Sequence, residues 1–172
     1  FVVETLGKIK SEQVIPALLK GAKNLDLDVR KEAIFWLGEI GSEQGIHALL
    51  EAAQDSDSVV RKWATHALSK IESEQAIPTL LQSLEHSSPD VRKESACALG
   101  KIGSETAVPS LLKTLKDANS GVRECSAKAL GRIASGQAIP ALLQAARDSD
   151  YSVRSRAVEA LGEIGSEQAI PT

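Results

Sequence analysis

The chain has 172 residues, 42% hydrophobic but only 3% aromatic, with two cysteines and a formal net charge of −3. That composition suits a folded protein with an aliphatic core, and its weak negative charge argues against nucleic-acid binding through bulk charge. Its apolar runs are too short to cross a membrane. Its two cysteines supply neither a disulfide framework nor metal-ligand spacing, so a reducing, cytoplasmic setting is expected.

Read in order, the chain is periodic. Ser recurs at Ser11, Ser42, Ser73, Ser104, Ser135 and Ser166, always 31 residues apart. A Val-Arg pair follows at Val29-Arg30, Val60-Arg61, Val91-Arg92, Val122-Arg123 and Val153-Arg154. Leu6, Leu37, Leu68, Leu99, Leu130 and Leu161 form another column, with Ile three residues later in each unit. A fixed period of this length marks a solenoid or array. Residues 1–10 read as the second half of an earlier unit. Full units follow at 11–41, 42–72, 73–103, 104–134 and 135–165, and 166–172 open another. The whole chain, 1–172, is expected to be a single α-solenoid; with no Met and a start in mid-pattern, it reads as an excerpt of a longer protein.

Each unit predicts two helices. In the unit at 11–41 the first runs from about Ile15 to Lys23. The column Pro16, Pro78, Pro109, Pro140 and Pro171 belongs in a first turn, because proline has a fixed φ and no N–H. The Ser-Glu-Gln lead-in, which Ser11 can cap, predicts a short 3₁₀ turn. His47 replaces proline in the second full unit. Ile15, Leu18, Leu19 and Ala22 make an i, i+3, i+4, i+7 stripe that buries one face.

The second helix is expected from about Leu27 to Ile40. Asp26, Asp57, Ser88, Asn119 and Asp150 stand at its start, all of them N-cap residues, and Pro89 follows Ser88 where proline is tolerated. Val29, Ala33, Leu37 and Ile40 face inward. Gly41, Gly103 and Gly165 stand just past its end, where a left-handed residue closes a helix. Glu72 and Ala134 replace that glycine in two units, and Ser69 interrupts the column Gly38, Gly100, Gly131 and Gly162, so irregularity is expected there.

Taken together, the pattern AIPxLLxxLxDxxxxVRxxAxxALGxIG resembles HEAT repeats, in the short bacterial HEAT-like class also met in phycobilin lyases, over essentially the whole chain. The resemblance implies an all-α fold: a right-handed α-α superhelix, HEAT/armadillo-like, of 31-residue helical-hairpin repeats with the second helices lining the concave side. It also implies an ion pair between an Asp after the first helix and the Arg of the second. That maps to Asp55–Arg61, Asp117–Arg123 and Asp148–Arg154, with Asn24 and His86 departing from the pattern opposite Arg30 and Arg92. A cation in the first turn of a helix is disfavoured by the dipole, so this arginine column needs a reason to recur; an inter-repeat hydrogen-bonded ladder is that reason.

Repeated columns hold the framework, so recognition must lie in the columns that vary. On the second helix these form a stripe facing away from the core. One column reads Glu32, Trp63, Glu94, Cys125, Arg156 and the next Phe35, His66, Cys97, Lys128, Glu159. The aromatics are the sharpest signal, since large aromatics and arginine are favoured binding anchors. Trp36 stands beside the stripe in a column otherwise held by alanine. Lys62, Lys70, Lys93, Lys101, Lys128 and Arg132 add positive charge, fitting an acidic segment of a protein partner; nucleic acid fits less well. Cys97 and Cys125 lie in adjacent units and read as exposed thiols, with a redox pair or bilin attachment as the other readings.

No catalytic group appears. His47, His66 and His86 stand in different columns without ligand spacing, the iron-binding His-Glu pairs of HEAT-like hydroxylases are absent, and no glycine-rich phosphate loop occurs. The expectation is a non-enzymatic scaffold that holds a protein or peptide on the concave second-helix surface through Phe35, Trp63, His66, Lys93, Cys97, Cys125, Lys128 and Arg156. It uses no cofactor or metal and has exposed apolar ends open to end-to-end self-association. The alternative, from the resemblance, is a subunit of a bilin lyase or isomerase acting on phycobiliproteins. A third reading, a structural spacer or engineered repeat, is opposed by the scattered framework departures His47, Ser69, Glu72 and Gly136. Truncating an inward leucine, as in Leu99→Ala, is expected to lower unfolding free energy by roughly 2–5 kcal/mol in denaturant titration.

Overall fold

The computed structural model describes residues 12–55, 57–68, 70–71 and 74–168. All regular structure among them is helical. In chain order the helices are α1 (Ile15–Ala22), α2 (Leu27–Ile40), α3 (Glu43–Ala52), α4 (Ser58–Leu68), α5 (Ile77–Ser83), α6 (Pro89–Ile102), α7 (Val108–Thr114), α8 (Ser120–Ile133), α9 (Ile139–Ala145) and α10 (Tyr151–Gln168). Odd-numbered helices are the first of each hairpin and even-numbered helices the second. The hairpins group into two compact units, residues 1–79 and 80–172, with the boundary inside α5.

The proline column decides how the first helix starts. Before Pro16, Pro78, Pro109 and Pro140 the chain makes a 3₁₀ turn, at Glu12–Val14, Glu74–Ala76, Glu105–Ala107 and Gly136–Ala138. Proline has no N–H to reach back four residues, so the α-helix cannot extend upstream through it. In the second full unit His47 has that N–H. There α3 runs unbroken from Glu43, and the Ser42 hydroxyl caps it by accepting from the Gly45 amide at 3.1 Å. The cap expected at Ser11 lies outside the described residues.

Second helices start as the sequence predicts, with one exception. Asp26, Asp57, Asn119 and Asp150 each accept amides of the first turn. The Ser88 side chain makes no cap bond to α6; its own N–H donates instead to Nδ1 of His86 at 3.0 Å. Gly41 and Gly103 close α2 and α6 in the left-handed conformation, at φ 62° and 75°. Ala134 takes φ 55° at the same place, a strain that glycine avoids. Gly165 does not end its helix: α10 runs through it to Gln168. In the second full unit α4 stops at Leu68, and the chain continues in i→i−3 bonds from Lys70 and Ile71. Ser69 and Glu72 themselves lie outside the described residues.

The core is aliphatic, as the composition required. Leu18, Leu37, Leu49, Leu68, Leu80, Leu99, Leu111, Leu130 and Leu142 are fully buried. So are Val60, Val91, Val122 and Val153, whereas the equivalent Val29 is half-buried. Ile34, Ala96 and Ala127 are buried too, so a second helix is covered on more than its hairpin side.

Within each unit, consecutive second helices touch where one of them has no side chain. A Cβ built on Gly38 would lie 2.8 Å from the Ala67 Cβ, one on Gly100 only 2.5 Å from the Ala129 Cα, and one on Gly131 2.7 Å from the Ala160 Cα. No real Cβ sits that close to another heavy atom, so the glycine column is a packing requirement and its alanine partners are small for the same reason. Gly100→Ala must push α6 and α8 apart. It is expected to lower the unfolding free energy by about 1–3 kcal/mol in denaturant titration, whereas Gly162→Ala, with nothing near, is expected to be neutral or stabilising.

Candidate functional site

In the first unit the close Gly38–Ala67 approach leaves a shallow crevice between α2 and α4. Phe35, Gly38, Glu39, Trp63, His66, Ala67 and Lys70 line it. Phe35 and Trp63 are 37% and 40% exposed, which is high for side chains of their size. Trp36 packs edge-on against Phe35, with ring centroids 5.0 Å apart, and its indole N–H donates to the Glu32 carboxylate at 3.2 Å. Phe35 is therefore braced from behind while its outer surface stays open.

In the second unit the same stripe carries Lys93 and Cys97 on α6, Cys125 and Lys128 on α8, and Arg156 on α10. The cations are not equivalent. Lys93 stands 3.5 Å from the Glu94 carboxylate. Arg156 lies 2.5 Å from Glu159 and 3.7 Å from Glu124 on the neighbouring helix. Lys128 is half-buried and makes no ion pair among the described residues. The cysteines differ from the expectation of separate exposed thiols. Cys97 is joined to Cys125 as a disulfide across α6 and α8, and Cys125 is only 7% exposed. The signal for this was the separation of 28 residues, one repeat less one helical turn, which puts both residues at one level on adjacent helices.

The arginine column is structural, but its pairing is not the expected one. Arg92 meets Asp117 through two bonds, of 2.8 and 2.9 Å, and Arg123 meets Asp148 through two of 2.8 Å. Each carboxylate thus belongs to the next hairpin, not to the arginine's own. Within its hairpin each arginine takes backbone carbonyls: Arg123 donates to Asp117 O and Ala118 O, Arg154 to Asp148 O and Ser149 O, and Arg61 to Asp55 O. Arg92, opposite the departing His86, uses the His86 and Ser87 carbonyls equally well. Arg30 holds the Asn24 carbonyl, and its buried Nε has no hydrogen-bond partner.

The Asp column has a second task, which explains its substitutions. Asp55, Asp117 and Asp148 each accept the amide two residues on, and Asn24 and His86 do the same with Oδ1 and Nδ1. Hydrogen bonds from the paired arginines hold the Asp117 and Asp148 carboxyls below the ordinary range and raise the Arg92 and Arg123 guanidinium groups.

A family model for HEAT repeats matches residues 15–86, 77–144 and 111–172. The chain belongs to the HEAT-repeat family. No curated protein sequence matches it. Among solved structures, the CpcE–CpcF complex of phycocyanin lyase from Nostoc sp. PCC7120 is 25% identical with a TM-score of 0.68, over 90% of this chain and 66% of that one. An engineered protein is 26% identical, TM-score 0.56, over 95% and 89%. A designed armadillo repeat protein in complex with the peptide (KR)4 is 24% identical, TM-score 0.58, over 94% and 91%, a likeness of fold alone. Among the described residues of this HEAT-repeat chain, no cluster of His, Cys, Asp or Glu could hold a metal ion, and no helix is long and apolar enough to cross a membrane.

A depressed carboxyl pKa stabilises the folded state above the unfolded pKa, near 4, and that contribution is lost as pH falls through the lower folded value. Asp148→Asn is therefore expected to lower stability by roughly 1–3 kcal/mol at neutral pH. The gap from the parent chain should close as pH falls below about 4, checked by denaturant titration at several pH values.

Proposed function

We propose that this HEAT-repeat chain is a non-enzymatic interaction module that holds a protein or peptide on the outward stripe of its second helices. The observation that carries this reading is the half-exposed pair Phe35 and Trp63 around one crevice, with His66 and Lys70 beside them. An aromatic crevice edged by a cation suits a short segment that inserts an apolar side chain and presents a carboxylate beside it. In the second unit Lys128, unpaired among the described residues, is the best electrostatic anchor; Lys93 and Arg156 serve with part of their charge already answered by glutamates. Cys97 and Cys125, tied to one another, contribute surface rather than free thiols.

A second reading, a subunit of a bilin lyase, is supported by the likeness to the CpcE–CpcF complex. In its thiol-dependent form it requires the disulfide to open first. It predicts pigment transfer to an apo-phycobiliprotein that is lost in a Cys97→Ser, Cys125→Ser variant, and an absence of colour in that assay removes it.

The first reading is tested with a displayed library of peptides carrying aromatic and acidic residues. Selected peptides are expected to lose at least about thirtyfold in affinity against Trp63→Ala, equivalent to about 2 kcal/mol, while the thermal midpoint barely moves. Unchanged affinity rules out this stripe.

A further inference from the structure

The cysteine pair is the feature of the second unit whose bond neither the repeat framework nor the interaction-module reading uses. Cys97 and Cys125 stand in variable columns, on regular helix rather than in loops, with Cα atoms 5.3 Å apart. A disulfide spans Cα separations of about 4.4–6.8 Å. Close packing beside the pair holds the same two helices together. Three residues beyond Cys97, Gly100 rests against Ala129, which is four residues beyond Cys125, with no room for a Cβ between them. The buried Leu99 and Leu130 belong to the same two helices. The first unit offers a parallel, since Trp63 follows Phe35 by the same 28 residues and the two line one crevice with no covalent link. Two thiols held face to face by noncovalent packing stay face to face when reduced, so opening and closing the bond leaves the helices in place.

The two cysteines differ in exposure. Cys97 is half-buried, whereas Cys125 is 7% exposed. We infer that Cys97 and Cys125 form a reversible thiol–disulfide site, opened by a small-molecule thiol attacking at Cys97 and closed by the corresponding small-molecule disulfide, with the fold intact in both states. In the forward direction a thiolate RS⁻ attacks Sγ of Cys97. The bond to Cys125 breaks, and its electron pair leaves on Sγ of Cys125, which takes a proton from solvent. A second RS⁻ then attacks the outer sulfur of the Cys97 mixed disulfide, releasing RSSR and the Cys97 thiolate. Two RSH are oxidised and the protein gains two electrons; running both exchanges backwards consumes RSSR and restores the bond. Lys128, one turn beyond Cys125 on α8, places positive charge on the face where the Cys125 thiolate departs. The inference does not depend on which partner the stripe binds.

The test uses the full chain under native conditions, equilibrated with reduced and oxidised glutathione in varied ratio, quenched with iodoacetamide and weighed intact. The expected result is two alkylated thiols at the reducing end and none at the oxidising end, with unchanged helical circular dichroism and no intermolecular dimer. The midpoint of thermal unfolding should fall by roughly 5–10 °C on reduction. Cys125→Ser, which keeps Cys97, is expected to take up glutathione at least about tenfold faster than Cys97→Ser. Four results each overturn the proposal: alkylation that needs denaturant, loss of helical signal on reduction, oxidation that stops at glutathione adducts or dimers, or equal uptake by the two single variants.

Discussion

The structure depends most on how closely consecutive second helices approach. Helix axes ordinarily pack 8–10 Å apart, set by the side chains at the contact. Here the contact is between glycine and alanine, at Gly38–Ala67 in the first unit and at Gly100–Ala129 and Gly131–Ala160 in the second. With no Cβ on one side, backbone meets backbone, and the axial register of the two helices is fixed as well as their distance. That register puts a residue on one second helix level with the residue 28 positions later. The pairs it creates are visible directly: Phe35 with Trp63 around one crevice, and Cys97 with Cys125 in one bond.

The arginine ladder solves a different problem. A hairpin as short as these cannot bury its own apolar stripe, so it needs fixed neighbours. Arg92 and Arg123 link each hairpin to the next through a doubly bonded carboxylate, while their remaining nitrogen holds the loop of their own hairpin through two carbonyls. One side chain thus sets both the turn and the stacking. This also resolves the apparent conflict with the helix dipole, because each guanidinium lies on the carbonyls before the helix start rather than over its first amides.

Much of this was legible in the sequence because the period repeats every constraint five times. Helix hairpins, the proline-linked 3₁₀ turns and most N-caps followed from residue type. A ladder between repeats was expected, as found; what stayed hidden was which aspartate each arginine takes. A column of arginine and a column of aspartate do not say which member of one meets which member of the other, and only the relative placement of neighbouring hairpins decides it. The role of Gly100 was equally hidden: glycine inside a helix reads as a weak point until the facing alanine is known. His86 looked like a departure from the aspartate pattern, yet Nδ1 can accept the amide that a carboxylate accepts, so the loop keeps its shape. For the candidate site, sequence alone marked the variable columns but could not say that Cys125 is buried or that Arg156 is already bridged to glutamates on two helices.

The register also constrains how such a surface can carry information. If the stripe binds a partner as proposed, a side chain in a variable column is met together with its neighbour one helix over, and the unit of recognition is a pair. Phe35 with Trp63 makes an apolar slot, whereas either ring alone is an isolated exposed hydrophobe of no consequence. Lys128 lies level with Arg156 by the same offset of 28, and two cations side by side would repel; Arg156 turns towards Glu124 and Glu159, which answers its charge and leaves Lys128 as the open one. Cys97 with Cys125 goes furthest, since its state depends on the pair alone. A rigid framework of glycine contacts and arginine ladders therefore leaves chemistry free to vary only two residues at a time, and a lone substitution in one column alters half of a feature whose other half the neighbouring helix still presents.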